Sequence, residues 1–378
     1  MTDKLAKYGA SIFSTMTAKA IQHGAINLAQ GFPDFPVDER LIDAVTEAMK
    51  SGYNQYARPS GAPELHREIS SIIASKYSRI VDADRELTVY PGASTAIYIA
   101  IQAIINPGDE VVIFEPSYEC YVPTIEICSG IIRPVRLVPP EFQPDWEEVE
   151  RLVSDRTRLV IINNPHNPSA SVWRQEDFRK LEKILEGRDC LILSDEVYEF
   201  INFTEEGHLS IHSMEGLRNK TLVISSFGKS LHVTGWRTGY CVAPPDVTIA
   251  MRKINQFSTF CANHAMQVGI ASYLRDYFDA SRIRDTYRAK RDMMVNGIID
   301  SRWKLLPCRG TYFMLLDYSS ISDLPSMEFS EWLVTHKGIA VIPCSPFYSE
   351  GYDPRIIRIC FAKKEETLIK AIDLLCNI

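Results

Sequence analysis

The chain has 378 residues, of which 46% are hydrophobic and 24% charged, and its 41 basic and 48 acidic residues leave a net charge of −7. A chain of this length is expected to form one large domain and one smaller domain. The negative balance is small and dispersed, whereas proteins that bind nucleic acid or an anionic membrane usually cluster Lys and Arg. Composition therefore argues against both kinds of partner.

Cysteines and apolar runs indicate the compartment. There are nine cysteines, an odd number, and none forms a C-x-x-C pair, so they are expected to be reduced core residues. The first residues, MTDKLAKYGASIFS, contain no long apolar segment of the kind found in a secretory leader. No apolar run approaches the ~20 residues needed to cross a bilayer. These features predict a cytoplasmic protein.

In chain order, short runs rich in Val, Ile and Leu alternate with helical patterns. The predicted strands are ELTVY, DEVVIFEP, TRLVIINNP, DCLILSDE and KTLVISSFG, at residues 86–90, 109–116, 157–165, 189–196 and 220–228. Helical stretches lie between them, for example at 95–105 and 175–187. This alternation predicts an α/β fold with a mostly parallel central sheet covered by helices. Ligands bind at the carboxyl ends of such strands, so the polar residues there are candidate site residues.

The pattern changes on both sides of this region. Residues 1–40 include QGFPDFP and are expected to be irregular, to lie across the domain junction and to pack with the smaller domain. Residues 41–270 form the predicted large domain, which would hold the ligand. Residues 271–378 contain helical patterns followed by GTYFMLLDYS, IAVIPCSPF and RIIRICFA, and form a predicted small α+β domain.

The segment SSFGKSLHVTGWRTGY, residues 225–240, is the first that indicates chemistry. By itself it is compatible with a surface loop that carries two solvated cations. The alternative is a Schiff-base lysine beside a phosphate site, because the amine of Lys229 can condense with a cofactor aldehyde. The hydroxyl of Ser226 and the guanidinium of Arg237 are groups that suit a phosphate dianion.

The segment SDEVYE places Asp195 at the end of a buried strand. A carboxylate there needs a partner, which a helix cap or a core salt bridge would provide. The functional alternative is a carboxylate that keeps a pyridine nitrogen protonated and so makes the cofactor an electron sink. Tyr198 follows three residues later and is suited to donate to the cofactor phenolate.

Two turn segments complete the pattern. In NNPHNPSA, Asn167 can donate to the same phenolate, while His166 is more simply explained as a loop histidine with satisfied hydrogen bonds. In YPGASTA, small residues would let the amides of Ala93 and Ser94 approach a phosphate at a helix N-terminus. A glycine turn between a strand and a helix is common, so this last segment indicates little alone.

Together, in this order and spacing, the four segments resemble the fold-type I, class I and II aminotransferases that depend on pyridoxal 5′-phosphate. The resemblance covers nearly the whole chain. The segments INLAQGFPDFP, NQYARPSGAPEL, EPSYECY, GTYFMLLDY and IRICFAKKEETL are similar to the methionine aminotransferase and kynurenine aminotransferase branch. One departure is Ala170, where the NPxNP motif usually continues with glycine. It is expected to alter the loop geometry without the loss of a side-chain role.

The resemblance implies a role for each candidate residue. Lys229 would hold the cofactor as a Schiff base and later carry the proton between the substrate α-carbon and the cofactor. Asp195 would pair with the pyridinium, Tyr198 and Asn167 would contact the phenolic oxygen, and Tyr118 would stack on the ring. The phosphate would be held by Ser226, Arg237 and the amides of Ala93 and Ser94. The substrate carboxylate would be held by Arg358, Asn163 and the amide of Gly31. Tyr56 would reach the cofactor phosphate of the neighbouring subunit.

The implied activity is transamination between an apolar or aromatic L-amino acid, with methionine the first candidate, and a 2-oxo acid. Ile12, Phe13 and Tyr56 suggest an apolar or aromatic pocket, and no further cation for a second carboxylate is evident. The implied assembly is a homodimer with shared active sites, and no metal site is expected. Two alternatives remain open, namely a carbon–sulfur β-lyase of the same fold and a non-catalytic regulatory protein that binds pyridoxal phosphate.

Overall fold

The computed structural model describes residues 4–378. Within them the helices are α1 Ile12–His23, α2 Glu39–Lys50, α3 Pro63–Tyr77, α4 Ala83–Glu86, α5 Ala93–Ile104, α6 Tyr121–Ile127, α7 Trp146–Leu152, α8 Gln175–Ile184, α9 Phe227–Ser230, α10 Pro245–Ser258, α11 His264–Tyr277, α12 Ala280–Ile298, α13 Ser326–Lys337 and α14 Glu365–Cys376. The strands are β1 Ile26–Asn27, β2 Leu87–Tyr90, β3 Glu110–Glu115, β4 Ile131–Arg136, β5 Thr157–Asn163, β6 Leu191–Asp195, β7 Thr221–Ser226, β8 Gly239–Val242, β9 Lys304–Leu305, β10 Phe313–Asp317, β11 Ile339–Ala340, β12 Ile342–Pro343 and β13 Ile356–Cys360.

The central sheet has seven strands in the order β2-β8-β7-β6-β5-β3-β4. Neighbouring strands from β7 to β4 run parallel, whereas β8 runs antiparallel to both β7 and β2. The predicted mostly parallel sheet is therefore confirmed. Neither β4 nor β8 was predicted, because β4 mixes arginine and proline with its apolar residues and β8 is only four residues long.

Side chains of the central strands alternate between two cores, one on each face of the sheet. Val111 and Ile113 of β3 pack in the core that contains α5. Val112 and Phe114 pack in the opposite core, with residues of α7 and α8. This alternation follows from the two-residue period of a strand. Because both faces are covered, the strands are apolar along their length, and only their carboxyl ends are free to present polar groups.

A second sheet is antiparallel, with the order β12-β13-β10-β9. It packs with α12, α13 and α14 around a separate core, which includes Met314 and Ile357. This is the smaller α+β part that the C-terminal pattern predicted. Arg358 lies in the middle of β13, opposite Leu315 of β10, so the backbone on both sides of this arginine is fixed by sheet pairing.

The N-terminal segment differs from the prediction. It was expected to be irregular, and that expectation was wrong because residues 12–23 form α1. Ser11 caps this helix by accepting a hydrogen bond from the Phe13 amide, and Gly24 ends it with a φ of 61° in the left-handed region. β1 then pairs in parallel with β11, which places the segment beside the C-terminal part of the chain.

We propose the three-part division into residues 1–40, 41–270 and 271–378, with one adjustment. Residue 270 lies inside α11, which packs closely on α2. A Cβ atom at Gly269 would lie 2.4 Å from Val45 Cγ2, so no bulkier residue fits that contact. The large domain is therefore best taken to extend to the end of α11.

All nine cysteines lie within the described residues, and none of them is paired in a disulfide. Four of them are buried, namely Cys190, Cys241, Cys344 and Cys360. None of the helices in residues 4–378 combines the length and the hydropathy that a membrane-spanning helix requires.

Candidate active site

A cavity of about 390 Å³ lies at the carboxyl ends of the central strands and reaches β13 of the second sheet. Parallel strands bring these ends to one edge, where Asn163 of β5 is in register with Asp195 of β6. Twelve of the thirteen predicted site residues line the cavity, and Tyr56 is the exception. The twelve are Gly31, Ala93, Ser94, Tyr118, Asn163, Asn167, Asp195, Tyr198, Ser226, Lys229, Arg237 and Arg358.

Lys229 lies in the short helix α9, which follows β7 directly. Its Nζ donates a hydrogen bond of 2.9 Å to the hydroxyl of Tyr312, and that hydroxyl donates to the carbonyl oxygen of Gly31 at 2.6 Å. Burial lowers the pKa of Lys229 to about 8. Roughly a tenth of this amine is therefore uncharged at pH 7, and the uncharged form is the one that acts as a nucleophile or a base.

Asp195 is a buried carboxylate that forms no salt bridge with any described residue. Its Oδ2 accepts a hydrogen bond of 2.6 Å from the hydroxyl of Tyr121, and its Oδ1 accepts one of 3.3 Å from the amide of Val197. Burial raises the pKa of Asp195 to about 6, while the Tyr121 hydrogen bond acts in the opposite direction. A cationic partner in the cavity would offset the cost of this burial.

The first turn of α5 forms one part of the cavity. Gly92 precedes the helix with a φ of 92°, a conformation that favours glycine. A Cβ atom at this position would lie 2.5 Å from Nη2 of Arg237, so the absence of a side chain lets the guanidinium approach the helix start. Ser94 and Ser226 line the same cavity. A helix N-terminus, two hydroxyls and an arginine form a suitable set of donors for a phosphate.

A hydrogen-bonded chain connects the strand ends to the second sheet. The side-chain amide of Asn163 donates to the carbonyl oxygen of Asp195 at 2.8 Å, and its oxygen accepts from the backbone amide of Asn167 at 2.7 Å. The side-chain oxygen of Asn167 in turn accepts a hydrogen bond of 2.7 Å from Nη1 of Arg358. The two asparagines therefore orient both their own turn and the arginine.

Arg358 is only 1% exposed and forms no ion pair with a described residue. Its Nη2 donates to the carbonyl oxygen of Ala29 at 3.1 Å, and its buried Nε has no hydrogen-bond partner within residues 4–378. The guanidinium carbon lies 3.7 Å from the ring centre of Phe313 and 4.9 Å from that of Phe13. A buried, stacked cation without a counter-ion is a suitable binding group for a carboxylate.

The residues fit pyridoxal phosphate and an amino-acid substrate on these observations. One cavity contains a buried carboxylate and a buried guanidinium, Asp195 and Arg358, and neither has an ion-pair partner among the described residues. It also contains Lys229 with a lowered pKa and the donor set around Arg237. Tyr118 and Tyr198 border the same space, and aromatic rings of this kind are suited to contact a planar cofactor.

Tyr56 lies away from this cavity. Its side chain is 81% exposed and packs edge to face on Phe260, with ring centres 5.2 Å apart. Tyr56 lies at a separate surface depression, whose lining includes residues 53–57 and 261–265. Within a single chain, Tyr56 therefore does not reach the groups assigned to the phosphate.

Sequence reasoning missed several residues of the site. Tyr121 is the first residue of α6, and no local signal indicated its hydrogen bond with Asp195, which is 74 residues away in sequence. Tyr312 lies in the quoted segment GTYFMLLDY, but its contact with Lys229 spans 83 residues of sequence. Ser11 and Glu119 also line the cavity. No local pattern connects these two, because they are 108 residues apart in sequence.

Ala170 has a φ of 59° and is fully buried. This explains why glycine is usual at the position, since the left-handed region is costly for residues with a Cβ atom. The backbone of Ala170 nevertheless accepts hydrogen bonds from the amides of Arg309 and Gly310, each at 3.0 Å. The loop is thus tied to the segment that precedes β10, and alanine is accommodated in the strained conformation.

Comparison with known proteins identifies the family. The model of the class I and II aminotransferases matches residues 23–375. Methionine aminotransferase from Escherichia coli is 45% identical over 97% of this chain and 96% of its own length. A crystal structure from E. coli with a methionine aminotransferase function covers 100% of this chain and 99% of its own, with a TM-score of 0.98 and 44% identity. Kynurenine–oxoglutarate transaminase from Dictyostelium discoideum is 30% identical over 98% of this chain and 94% of its own length.

The chain belongs to the class I and II aminotransferases. The resemblance, the fold type and the cofactor predicted from the sequence are confirmed, since this is a family of enzymes that use pyridoxal 5′-phosphate. The protein is accordingly a transaminase of amino acid metabolism, with an amino acid and a 2-oxo acid as its substrates.

Proposed function

We propose that the chain transfers the amino group of an apolar or aromatic L-amino acid, methionine above all, to a 2-oxo acid. The observation that carries this proposal is the composition of the cavity wall. Its cations are Lys229, Arg237 and Arg358, and each of the three already has a task in binding the cofactor or the α-carboxylate. Much of the remaining wall is apolar or aromatic, including Phe13 and Phe313. The E. coli relative named for methionine supports the same preference.

The proposed roles follow from the contacts of each residue. Arg358 binds the substrate α-carboxylate through its guanidinium, with Asn163 and the Gly31 amide beside it. Asn167 holds one edge of that guanidinium by its 2.7 Å contact with Nη1, so the arginine presents a fixed orientation to the substrate. The neutral Nζ of Lys229 then removes the substrate α-proton and holds it for return.

Binding of the cofactor is assigned to the strand ends and to α5. Asp195 would lie against the ring nitrogen, and Tyr198 and Asn167 against the phenolic oxygen. Tyr118 would pack on the ring. Bound pyridoxal phosphate supplies the electron sink for the pair left by α-proton removal. The phosphate would be held by Ser226, Arg237 and the amides of Ala93 and Ser94.

The test combines a donor screen with a lysine substitution. Methionine and aromatic amino acids should give much higher kcat/KM values than aspartate, with the matching 2-oxo acid as product. Release of pyruvate, ammonia and a thiol from cysteine conjugates at comparable rates would instead favour a β-lyase. Lys229→Ala should lose the visible absorption that depends on the lysine and most of the turnover. Lys253→Ala, an exposed lysine of α10, is the control and should retain both.

We also propose that the enzyme is a homodimer with shared active sites. The support is an exposed aromatic pair, formed by Tyr56, exposed to 81%, and Phe260, exposed to 39%, whose rings pack edge to face. Apolar rings exposed at one surface are typical of a contact with another protein surface. If that surface is a second copy of the chain, Tyr56 can reach the phosphate of its partner's cofactor, the role that the resemblance implies.

Mixed dimers test this sharing. A Lys229→Ala chain and a Tyr56→Ala chain, each poorly active alone, would be co-expressed with two different affinity tags. In a hybrid with shared sites, one site carries both substitutions and the other carries neither. Purified hybrids should then regain up to about half of the wild-type activity if separate sites act independently. Hybrids without recovered activity would overturn the proposal that the active sites are shared.

We propose the cytoplasm as the location of the enzyme. The nine cysteines support this, since four of them are buried in the cores as free thiols. Free thiols persist in a reducing compartment, whereas exported proteins usually pair their cysteines. Fractionation of cells that express the native protein would test the proposal.

A further inference from the structure

Glu119 places a carboxylate at the edge of the active-site cavity. It follows Tyr118 in sequence, and it is partly exposed and partly buried. Glu119 and Ser11 both line the catalytic cavity and an adjoining larger one of about 900 Å³. The side chain of a ligand that is bound at Arg358 and extends towards the larger cavity would therefore contact these two residues.

The position of Glu119 is fixed by the N-terminal segment. The hydroxyl of Ser11 lies 2.8 Å and 3.0 Å from the two carboxylate oxygens, and the same hydroxyl accepts a hydrogen bond from the Phe13 amide at the start of α1. The ring of Phe13 in turn lies against Arg358. A continuous stretch of wall therefore runs from the carboxylate-binding arginine, through Phe13 and Ser11, to Glu119.

No cation in residues 4–378 forms a salt bridge with Glu119. Burial raises the pKa of Glu119, while the Ser11 hydrogen bond and the positive charge of Arg358 oppose that rise and favour the ionised form. The three cations that line the cavity are all assigned to the cofactor or to the α-carboxylate. A second substrate carboxylate would thus find a negative charge at this wall and no unassigned positive one.

We propose that Glu119 is a specificity-determining residue that excludes dicarboxylic substrates in both halves of the reaction. This inference rests on the proposed function and extends it to the acceptor. Donor and acceptor use the same cavity in turn, so the charge that disfavours aspartate and glutamate also disfavours 2-oxoglutarate. The amino acceptor is accordingly a monocarboxylic 2-oxo acid with an uncharged side chain.

Glu119→Gln tests the charge while keeping the size of the side chain and its hydrogen bond to Ser11. In the wild type, 2-oxobutanoate should be a better acceptor than 2-oxoglutarate. In the variant, the ratio of kcat/KM for 2-oxoglutarate to that for 2-oxobutanoate should rise about tenfold, the scale of one charge–charge interaction across a partly hydrated cavity. The ratio for glutamate over methionine should rise similarly. Glu119→Asp keeps the charge and should retain the wild-type ratios.

Glu126→Gln is the matched control. Glu126 also holds the N-terminal segment, since it accepts hydrogen bonds from Lys7 Nζ at 2.6 Å and from the Tyr8 hydroxyl at 2.8 Å. It lines the larger cavity but not the catalytic one. If only the Glu119 variant changes the ratios, charge in the cavity is the cause. Equal changes in both variants would mean that the placement of the N-terminal segment sets specificity, and would overturn the proposal.

Equilibrium binding gives a readout that needs no turnover. Succinate and butyrate have the same chain length and differ by one carboxylate, so their dissociation constants for the cofactor-loaded enzyme isolate the effect of charge. Succinate should gain about tenfold in affinity relative to butyrate in Glu119→Gln. An unchanged binding ratio would refute the role of Glu119 even if methionine is transaminated. If no amino acid is turned over, the proposed function fails, and the binding ratio still decides the role of Glu119.

Discussion

Arg358→Lys is the substitution that most directly tests how the substrate is held. It keeps the positive charge and removes the planar guanidinium. In the structure, Nη1 is 2.7 Å from the Asn167 side-chain oxygen, Nη2 is 3.1 Å from the Ala29 carbonyl oxygen, and the guanidinium lies 3.7 Å from the centre of the Phe313 ring. A lysine ammonium cannot keep both hydrogen bonds and the stacking while it also presents two parallel donors to a carboxylate.

The magnitude follows from the number of donors lost. Losing one of two hydrogen bonds to a charged group costs about 1.5–3 kcal/mol. At 25 °C this corresponds to a rise of about 10- to 150-fold in the dissociation constant of a monocarboxylate. The same loss should raise KM for methionine and for its 2-oxo acid, because both use the same arginine. The substitution does not touch Lys229, so the bond between this lysine and the cofactor and the visible spectrum of the cofactor-loaded enzyme should be retained.

The assay is a titration of the cofactor-loaded variant with butyrate, together with steady-state kinetics for methionine. Arg355→Lys is the control, since Arg355 precedes the same strand and pairs with Asp323 near the surface at 2.9 Å. Butyrate affinity within about twofold of wild type in Arg358→Lys, well below the loss expected for one charged hydrogen bond, would refute the proposed carboxylate role.

Two further substitutions test the cofactor end of the site. Tyr121→Phe removes a hydrogen bond that favours the ionised form of Asp195, so the pKa of Asp195 should rise further above about 6. When the pH is lowered, Asp195 of the variant should become protonated at a higher pH than in the wild type, and the affinity of the apoenzyme for the cofactor should decrease at that higher pH. Binding profiles from pH 5 to 8 that are the same for both proteins would contradict this reasoning. Gly92→Ala would place a Cβ atom 2.5 Å from Arg237 Nη2, and displacement of that cation should weaken cofactor binding by about 10- to 150-fold, the range for one charged hydrogen bond. Fluorescence titration of the apoenzyme with pyridoxal phosphate measures this effect, and wild-type affinity would show that the guanidinium does not need to lie against residue 92 to hold the phosphate.

The sequence by itself determined five of the seven strands of the central sheet and the residues at their ends. Strand runs such as 157–165 and 189–196 are apolar because both faces of the sheet are covered. Asn163 and Asp195 are polar because each lies at the carboxyl end of its strand, where the sheet is not covered. Residue type then indicated candidate chemistry, although Lys229 after a buried strand was by itself also compatible with a solvated surface cation. The strand pattern is local information and was sufficient for the fold class, whereas the family and the cofactor were inferred from the resemblance carried by four segments in one order along the chain.

Local patterns were less informative at the margins of the fold. Helix α1 was not predicted, because the segment QGFPDFP that follows it is rich in glycine and proline and suggested that all of residues 1–40 are irregular. The sequence does contain good capping residues at the two ends of the helix, Ser11 and Gly24. The antiparallel direction of β8 was also not predictable. The sequence of a four-residue strand does not indicate the direction in which the strand runs. That direction follows from the pairing of β8 with β7 and β2.

Only the tertiary structure decided which distant residues meet. The contact of Arg358 with Asn167 spans 191 residues, that of Lys229 with Tyr312 spans 83, and that of Ser11 with Glu119 spans 108. Helical and strand periods extend over a few residues and contain nothing about such separations. These contacts arise because two sheets, which share one hydrophobic core, and an N-terminal helix lie around one cavity. Burial of apolar side chains supplies the free energy that joins them.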